Sequence, residues 1–147
     1  MESRFMERAV ELSRLAFGAG EVPVGAVIVK EGKIIAEGYN RREETKRAIS
    51  HAEIEAIEAA NKALGDWRLD GCSIYVTLEP CLMCAGAIAA ARIDEVIFGA
   101  YDTERGFVLS RADINSLTDK KITVFGGIRE DECKNLLDLF FKEKLRK

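Results

Sequence analysis

A histidine followed two residues on by a glutamate, and thirty residues later a pair of cysteines three positions apart, constrain this chain more than any other feature: His51-Ala52-Glu53 and Pro80-Cys81-Leu82-Met83-Cys84. Cysteines at i and i+3 on a helix present both sulfurs to one face, where they can grip one ion. His51 is the only histidine in the chain, so a second imidazole cannot be supplied. A structural zinc site takes four Cys or His ligands, and the remaining Cys72 and Cys133 each stand alone in the sequence. Taken singly, the cysteine pair also reads as a redox motif and the histidine as a packed side chain. Together they supply three ligands, a vacant fourth position and a carboxylate not needed for coordination, which is the pattern of a catalytic zinc centre.

The rest of the chain bounds what such a centre serves. With 147 residues, 48% of them hydrophobic, one domain over residues 1–147 is expected, and no linker, low-complexity stretch or repeat divides it. The first residues are charged and lack the apolar run of a signal peptide, and no segment approaches a membrane span, so a cytoplasmic protein with no membrane partner is expected. In that compartment the four cysteines read as thiols or metal ligands and not as disulfides. A net charge of −3 argues against a protein that coats nucleic acid through a basic surface. Arg41, Arg42, Lys46 and Arg47, and the tail Lys142 to Lys147, are local basic clusters that residue by residue read as solvated faces.

Local patterns place the motifs. Phe5, Ala9, Leu12, Leu15 and Ala16 have helical spacing and run into Gly18-Ala19-Gly20, a stop. Val22 to Val29 and Lys33 to Glu37 read as strands joined by a tight turn at Glu31-Gly32. Ser50 with Glu53 forms a capping-box pattern ahead of a helix from His51 to Leu64 that ends at Gly65. Glu53 thus has two candidate tasks, capping and proton transfer beside the metal, and its place next to a metal histidine favours the second. Ser73 to Leu78 reads as a buried strand delivering Glu79-Pro80-Cys81, with Pro80 in the first turn of a helix from Cys81 to Ala91. Thiols at a helix N-terminus are favoured as thiolates. Further strands at Glu95 to Ala100 and Ile122 to Phe125, and a closing helix from Glu130 to Leu145, complete an α/β fold with a mixed sheet covered on both faces.

The histidine-x-glutamate and proline-cysteine-x-x-cysteine pair is the signature of the zinc nucleobase deaminases. The likeness extends further: Glu21 to Val27, Glu37 to Arg41, His51 to Ile54, Tyr75 to Cys81, Met83 to Ala87, Phe98 to Ala100 and the Asp131-Glu132-Cys133 helix all resemble the bacterial tRNA adenosine deaminases of the cytidine deaminase superfamily. The resemblance implies a three-layer α/β/α fold around a five-stranded mixed sheet. It also implies a homodimer with one Zn2+ per subunit and conversion of adenosine to inosine at the wobble position of a tRNA anticodon loop. Carried over, His51, Cys81 and Cys84 hold zinc, Glu53 shuttles protons, and Asn40, Ala52 and Phe107 lie against the substrate. From the residues alone, Asn40 after Gly38-Tyr39 could equally shape a turn.

The chain departs from the family at Phe107-Val108-Leu109-Ser110, where small residues are usual, and this bulk is expected to narrow the channel for an anticodon loop. It also departs between Leu117 and Ile122, which is shorter and lacks an asparagine-histidine pair, and at Arg47 to Ser50. These positions bear on substrate access and not on the metal. A second reading is therefore the same chemistry on a free base or nucleoside: guanine, cytosine or a modified purine. A more distant one is a non-catalytic zinc protein that binds RNA.

Overall fold

A computed structural model describes residues 2–145. Five strands form one sheet in the order β2-β1-β3-β4-β5: β1 Gly25–Lys30, β2 Lys33–Tyr39, β3 Cys72–Leu78, β4 Glu95–Ala100 and β5 Thr123–Phe125. β1 runs antiparallel to both β2 and β3, whereas β3, β4 and β5 are mutually parallel. The expected mixed sheet is thus observed. Its hairpin turns at Glu31 and Gly32, both at positive φ (52° and 74°), the backbone that a tight β1–β2 connection demands.

Helices α1 (Ser3–Gly18) and α5 (Glu130–Leu145) pack on one face and meet through the Phe17 and Phe140 rings, 5.9 Å apart. Helices α3 (Ala52–Leu64) and α4 (Leu82–Ala90) pack together on the other. Burial follows the helical period: Phe5, Met6, Ala9, Val10, Leu12 and Ala16 form the inner stripe of α1. Ile74, Val76, Val96, Ile97 and Phe98 fill the interior of the sheet and are fully buried.

Two glycines set the spacing between layers. A Cβ on Gly25 would stand 2.1 Å from the Ala9 carbonyl oxygen of α1, and one on Gly38 would stand 2.5 Å from the Ala52 oxygen and 2.6 Å from the Ala56 nitrogen of α3. Gly38 therefore lets the backbone that carries Ala52 and Glu53 lie directly on β2. A Gly38→Ala substitution is expected to destabilise the protein by about 2–3 kcal/mol by forcing these backbones apart. Urea titration followed by circular dichroism measures this, and an unchanged midpoint would contradict the tight packing.

Several local expectations need correction. Val22 to Val24 lies outside the ladder: β1 starts at Gly25, the Val24 N–H turns back to Val22 O, and the Asn40 N–H donates to Val24 O. A short helix α2, Arg42–Thr45, was not foreseen, and the Glu21 carboxylate holds its start by accepting from the Glu43 and Glu44 N–H groups at 3.0 and 2.8 Å. Ser50 makes no capping box; its hydroxyl pairs with Thr45 Oγ1 at 2.9 Å, and His51 occupies the N-cap of α3 without a side-chain bond. Pro80 precedes α4, whose N-cap is Cys81. Of the basic tail, Arg146 and Lys147 lie outside the described residues. No helix among the described residues is long and apolar enough to cross a membrane.

Candidate active site

The two sequence motifs converge at the carboxyl ends of the parallel strands. β3 ends at Leu78, and the chain passes through Glu79 and Pro80 to Cys81, where α4 begins. On the opposite side α2 and the turn after it deliver His51 to the start of α3. Two helix N-termini therefore point at one spot, and their partial positive charge favours thiolate there.

His51 Nδ1 lies 3.7 Å from Cys81 Sγ and 3.6 Å from Cys84 Sγ, and the three ligand atoms all fall within 4.8 Å of one another. A tetrahedral zinc ion with Zn–S of about 2.3 Å and Zn–N of about 2.0–2.1 Å has an N···S edge of about 3.6 Å. The donor set and its spacing thus fit zinc, with one position left open. Among the described residues this is the only His, Cys, Asp and Glu group with such convergence.

The two thiols are pulled in opposite directions by their surroundings. The Cys84 thiol and then His51 hydrogen-bond Cys81 and bring its pKa down to about 4, while the same Cys81 contact, burial and the Glu53 charge push Cys84 up. The Cys81 hydrogen bond raises His51. A divalent ion held by His51, Cys81 and Cys84 would take the place of their protons, since it binds thiolates and neutral imidazole. Glu53 is 4% exposed, and burial pushes its carboxyl up to about 7 with the Cys81 charge adding to the rise. A carboxyl poised near neutrality can both take and return a proton.

These groups open onto a cavity of about 560 Å3, within the range of small-ligand sites. Asn40 and Ala52 line it beside His51, Glu53 and Cys81. Asn40 Nδ2 donates to Val22 O at 3.4 Å, while its Oδ1 is buried without a partner. A buried acceptor left unpaired is costly, so Oδ1 is poised to accept from a ligand. The far wall comes from Tyr101, Asp102, Glu104 and Arg105 of the segment after β4, and from α5 through Leu137 and Phe141.

Phe107, expected against the substrate, does not line this cavity, nor do Val108, Leu109 and Ser110. Its N–H donates to Pro80 O at 2.9 Å and its side chain packs on the core, so the bulk of this segment is turned away from the site. Conversely, Glu79, Tyr101 and Arg105 were missed, because hydrogen bonds and contacts far apart in sequence place them. Of the basic cluster, Arg42 reaches the cavity. Arg41 pairs with Glu44 and Glu55, and Arg47 with Glu58.

Fold and site together define a nucleobase deaminase. The family model of the MafB19-like deaminases matches residues 2–144. A tRNA-specific adenosine deaminase of Bacillus subtilis is 44% identical over 147 residues, covering 97% of this chain and 90% of that protein. Among solved structures, one of a tRNA:A34 deaminase that edits A to I at the wobble position of transfer RNA superposes with a TM-score of 0.89 at 42% identity, covering 92% of this chain and all of the other. A guanine deaminase from Nitrosomonas europaea superposes at 0.84 with 25% identity, covering 95% and 84%. The chain belongs to the family of tRNA-specific adenosine deaminases.

Proposed function

We propose that this protein is a zinc-dependent hydrolase that converts adenosine to inosine at the wobble position of a tRNA anticodon loop, acting in the cytoplasm as a homodimer with one zinc per subunit. The observation that carries the reading is the convergence of the His51, Cys81 and Cys84 donors, the Glu53 carboxyl and the unpaired Asn40 Oδ1 on one cavity. Zinc bound there supplies a Lewis acid that lowers the pKa of water towards neutrality.

The remaining steps fall to the protein. Glu53 takes a proton from the attacking water and gives it to N1 of the purine as the water oxygen bonds C6; it then takes the second proton from the new C6 hydroxyl and gives it to the amine as the C6–N bond breaks and the C6 carbonyl forms. Adenosine and water thus become inosine and ammonia. Asn40 Oδ1 accepts a hydrogen bond from the target nucleoside while Nδ2 stays on Val22 O, and Ala52, which lines the cavity, borders the base. Phe107 is assigned no contact.

RNA is favoured as substrate by the rim. Arg42, Arg105, Lys134 and Lys144 place cations among the carboxylates of Asp102, Glu104 and Asp138 that also line the cavity, and Tyr101 and Phe141 offer half-exposed rings. Splayed loop bases are held by such stacking and phosphate contacts. Ile49, Leu82 and Leu109 are exposed large apolar side chains, the kind of surface a second subunit would cover. The likeness to a guanine deaminase keeps free bases as the second reading.

Incubating the purified protein with an adenosine-containing anticodon stem-loop, and separately with free bases and nucleosides, tests both. Inosine is expected in the stem-loop, with ammonia released in equal amount. Turnover confined to free bases or nucleosides would overturn the tRNA assignment.

A further inference from the structure

Glu79 is a carboxylate only 1% exposed that no step above uses. It lies beyond the end of β3, two residues before Cys81, yet it is not one of the converging ligands. Its Oε2 accepts from the N–H groups of Val108 at 3.2 Å and of Leu109 and Ser110 at 2.8 Å. Its Oε1 accepts from Asp102 N–H at 3.1 Å and from the Ser110 hydroxyl at 2.5 Å. Five donors thus converge on two oxygens, and all five belong to one segment, residues 102–110.

That segment has almost no regular structure of its own. Gly106 lies across the carboxylate, where a Cβ would come within 2.3 Å of Glu79 Cδ, and it forms an isolated bridge with Cys81. The same stretch of chain supplies Tyr101, Asp102, Glu104 and Arg105 to the cavity wall. Each hydrogen bond to a charged acceptor outweighs a neutral one. We propose that Glu79 is a positioning residue: its carboxylate ties the 102–110 segment to the strand end that bears Cys81, and so sets the wall that binds the parts of the substrate remote from the reacting carbon. This rests on the proposed reading of the cavity as the substrate site.

The contacts of that wall are made in ground state and transition state alike, so weakening it raises KM and spares kcat. Glu79→Gln is the specific probe. It preserves shape, but it replaces one acceptor oxygen by an NH2 group facing N–H donors, which they cannot satisfy. Hydrogen exchange on the full-length, zinc-loaded protein reads the tie directly. Peptides covering residues 102–111 are expected to exchange faster in the variant, those covering β3 are expected to be unchanged, and zinc content is expected to equal that of the parent.

Kinetics on whichever compound the parent deaminates is expected to show KM raised on the order of tenfold, with kcat within about threefold. Unchanged exchange, or faster exchange with unchanged KM, overturns the proposal. A loss confined to kcat overturns it too, by moving Glu79 into the chemical step. If Glu79→Gln does not fold, Ser110→Ala removes a single donor and is expected to raise KM by a smaller factor; no rise then overturns the proposal. Failure of the parent on the stem-loop is a separate result, which strikes the tRNA assignment and leaves Glu79 to be judged on the base or nucleoside that is turned over.

Discussion

Replacing Glu53 by alanine is expected to abolish deamination while leaving the metal in place. The carboxyl is buried beside both cysteines, close enough for its charge to act on them, but it is not one of the three converging ligands. General acid–base catalysis by one positioned group contributes typically 10²–10⁴-fold; the other deeply buried carboxyl of the cavity, Glu79, has both oxygens engaged by donors of the 102–110 segment, which leaves Glu53 to serve the proton transfers, so a loss of about 10³-fold or more is expected. That corresponds to about 4 kcal/mol or more of transition-state stabilisation. Stability is expected not to fall, because a carboxyl pushed up to about 7 by burial is held in surroundings that disfavour its charge. The measurement pairs metal analysis with a single-turnover assay and a thermal melt. Activity within tenfold of the parent would remove Glu53 from the mechanism, and loss of metal would make it a ligand.

The second large effect concerns the metal itself. Cys84→Ala is expected to reduce bound zinc from one per chain to nearly none and to remove activity with it. The lost sulfur is one of three protein donors, and its neighbours cannot replace it: Cys72 and Cys133 are buried elsewhere in the core and lie outside the converging group. Cys133 sits against Gly99, where a Cβ would meet its sulfur at 2.4 Å, and burial keeps its thiol up at about 12. Cys133→Ala is therefore the matched control, expected to keep full metal content. Zinc measured by mass spectrometry decides the matter, and a Cys84→Ala protein with stoichiometric metal would refute the ligand set.

The sequence made the two halves of the metal group and the α/β sheet legible because each half and each strand rests on short-range rules, and the pairing of the halves follows from the donor types they supply. The spacing of Cys81 and Cys84, the apolar runs of β3 and β4, and the Glu31-Gly32 turn each act within a few residues. What escaped prediction depends on partners far along the chain. The α2 helix starts where it does because Glu21, more than twenty residues earlier, accepts its first N–H groups. The 102–110 segment is ordered by Glu79, and the same tie turns Phe107 onto the core and away from the cavity. The Ser50 and Glu53 pattern misled for a functional reason: a capping box needs Glu53 to reach back over the helix start, whereas here the carboxyl is buried towards the metal group and Ser50 turns to Thr45.

The absence of side-chain caps on α3 and α4 bears on how the donor group is held. Both N-cap positions are given to members of the candidate metal group, His51 and Cys81, and neither side chain caps its helix. Their places are fixed instead by β2 lying against α3 at Gly38 and by the bridge from Cys81 to Gly106. The donor group is thereby gripped from two sides, by an edge strand at β2 and by the loop after β4, so a disturbance on either side is felt at the same three side chains.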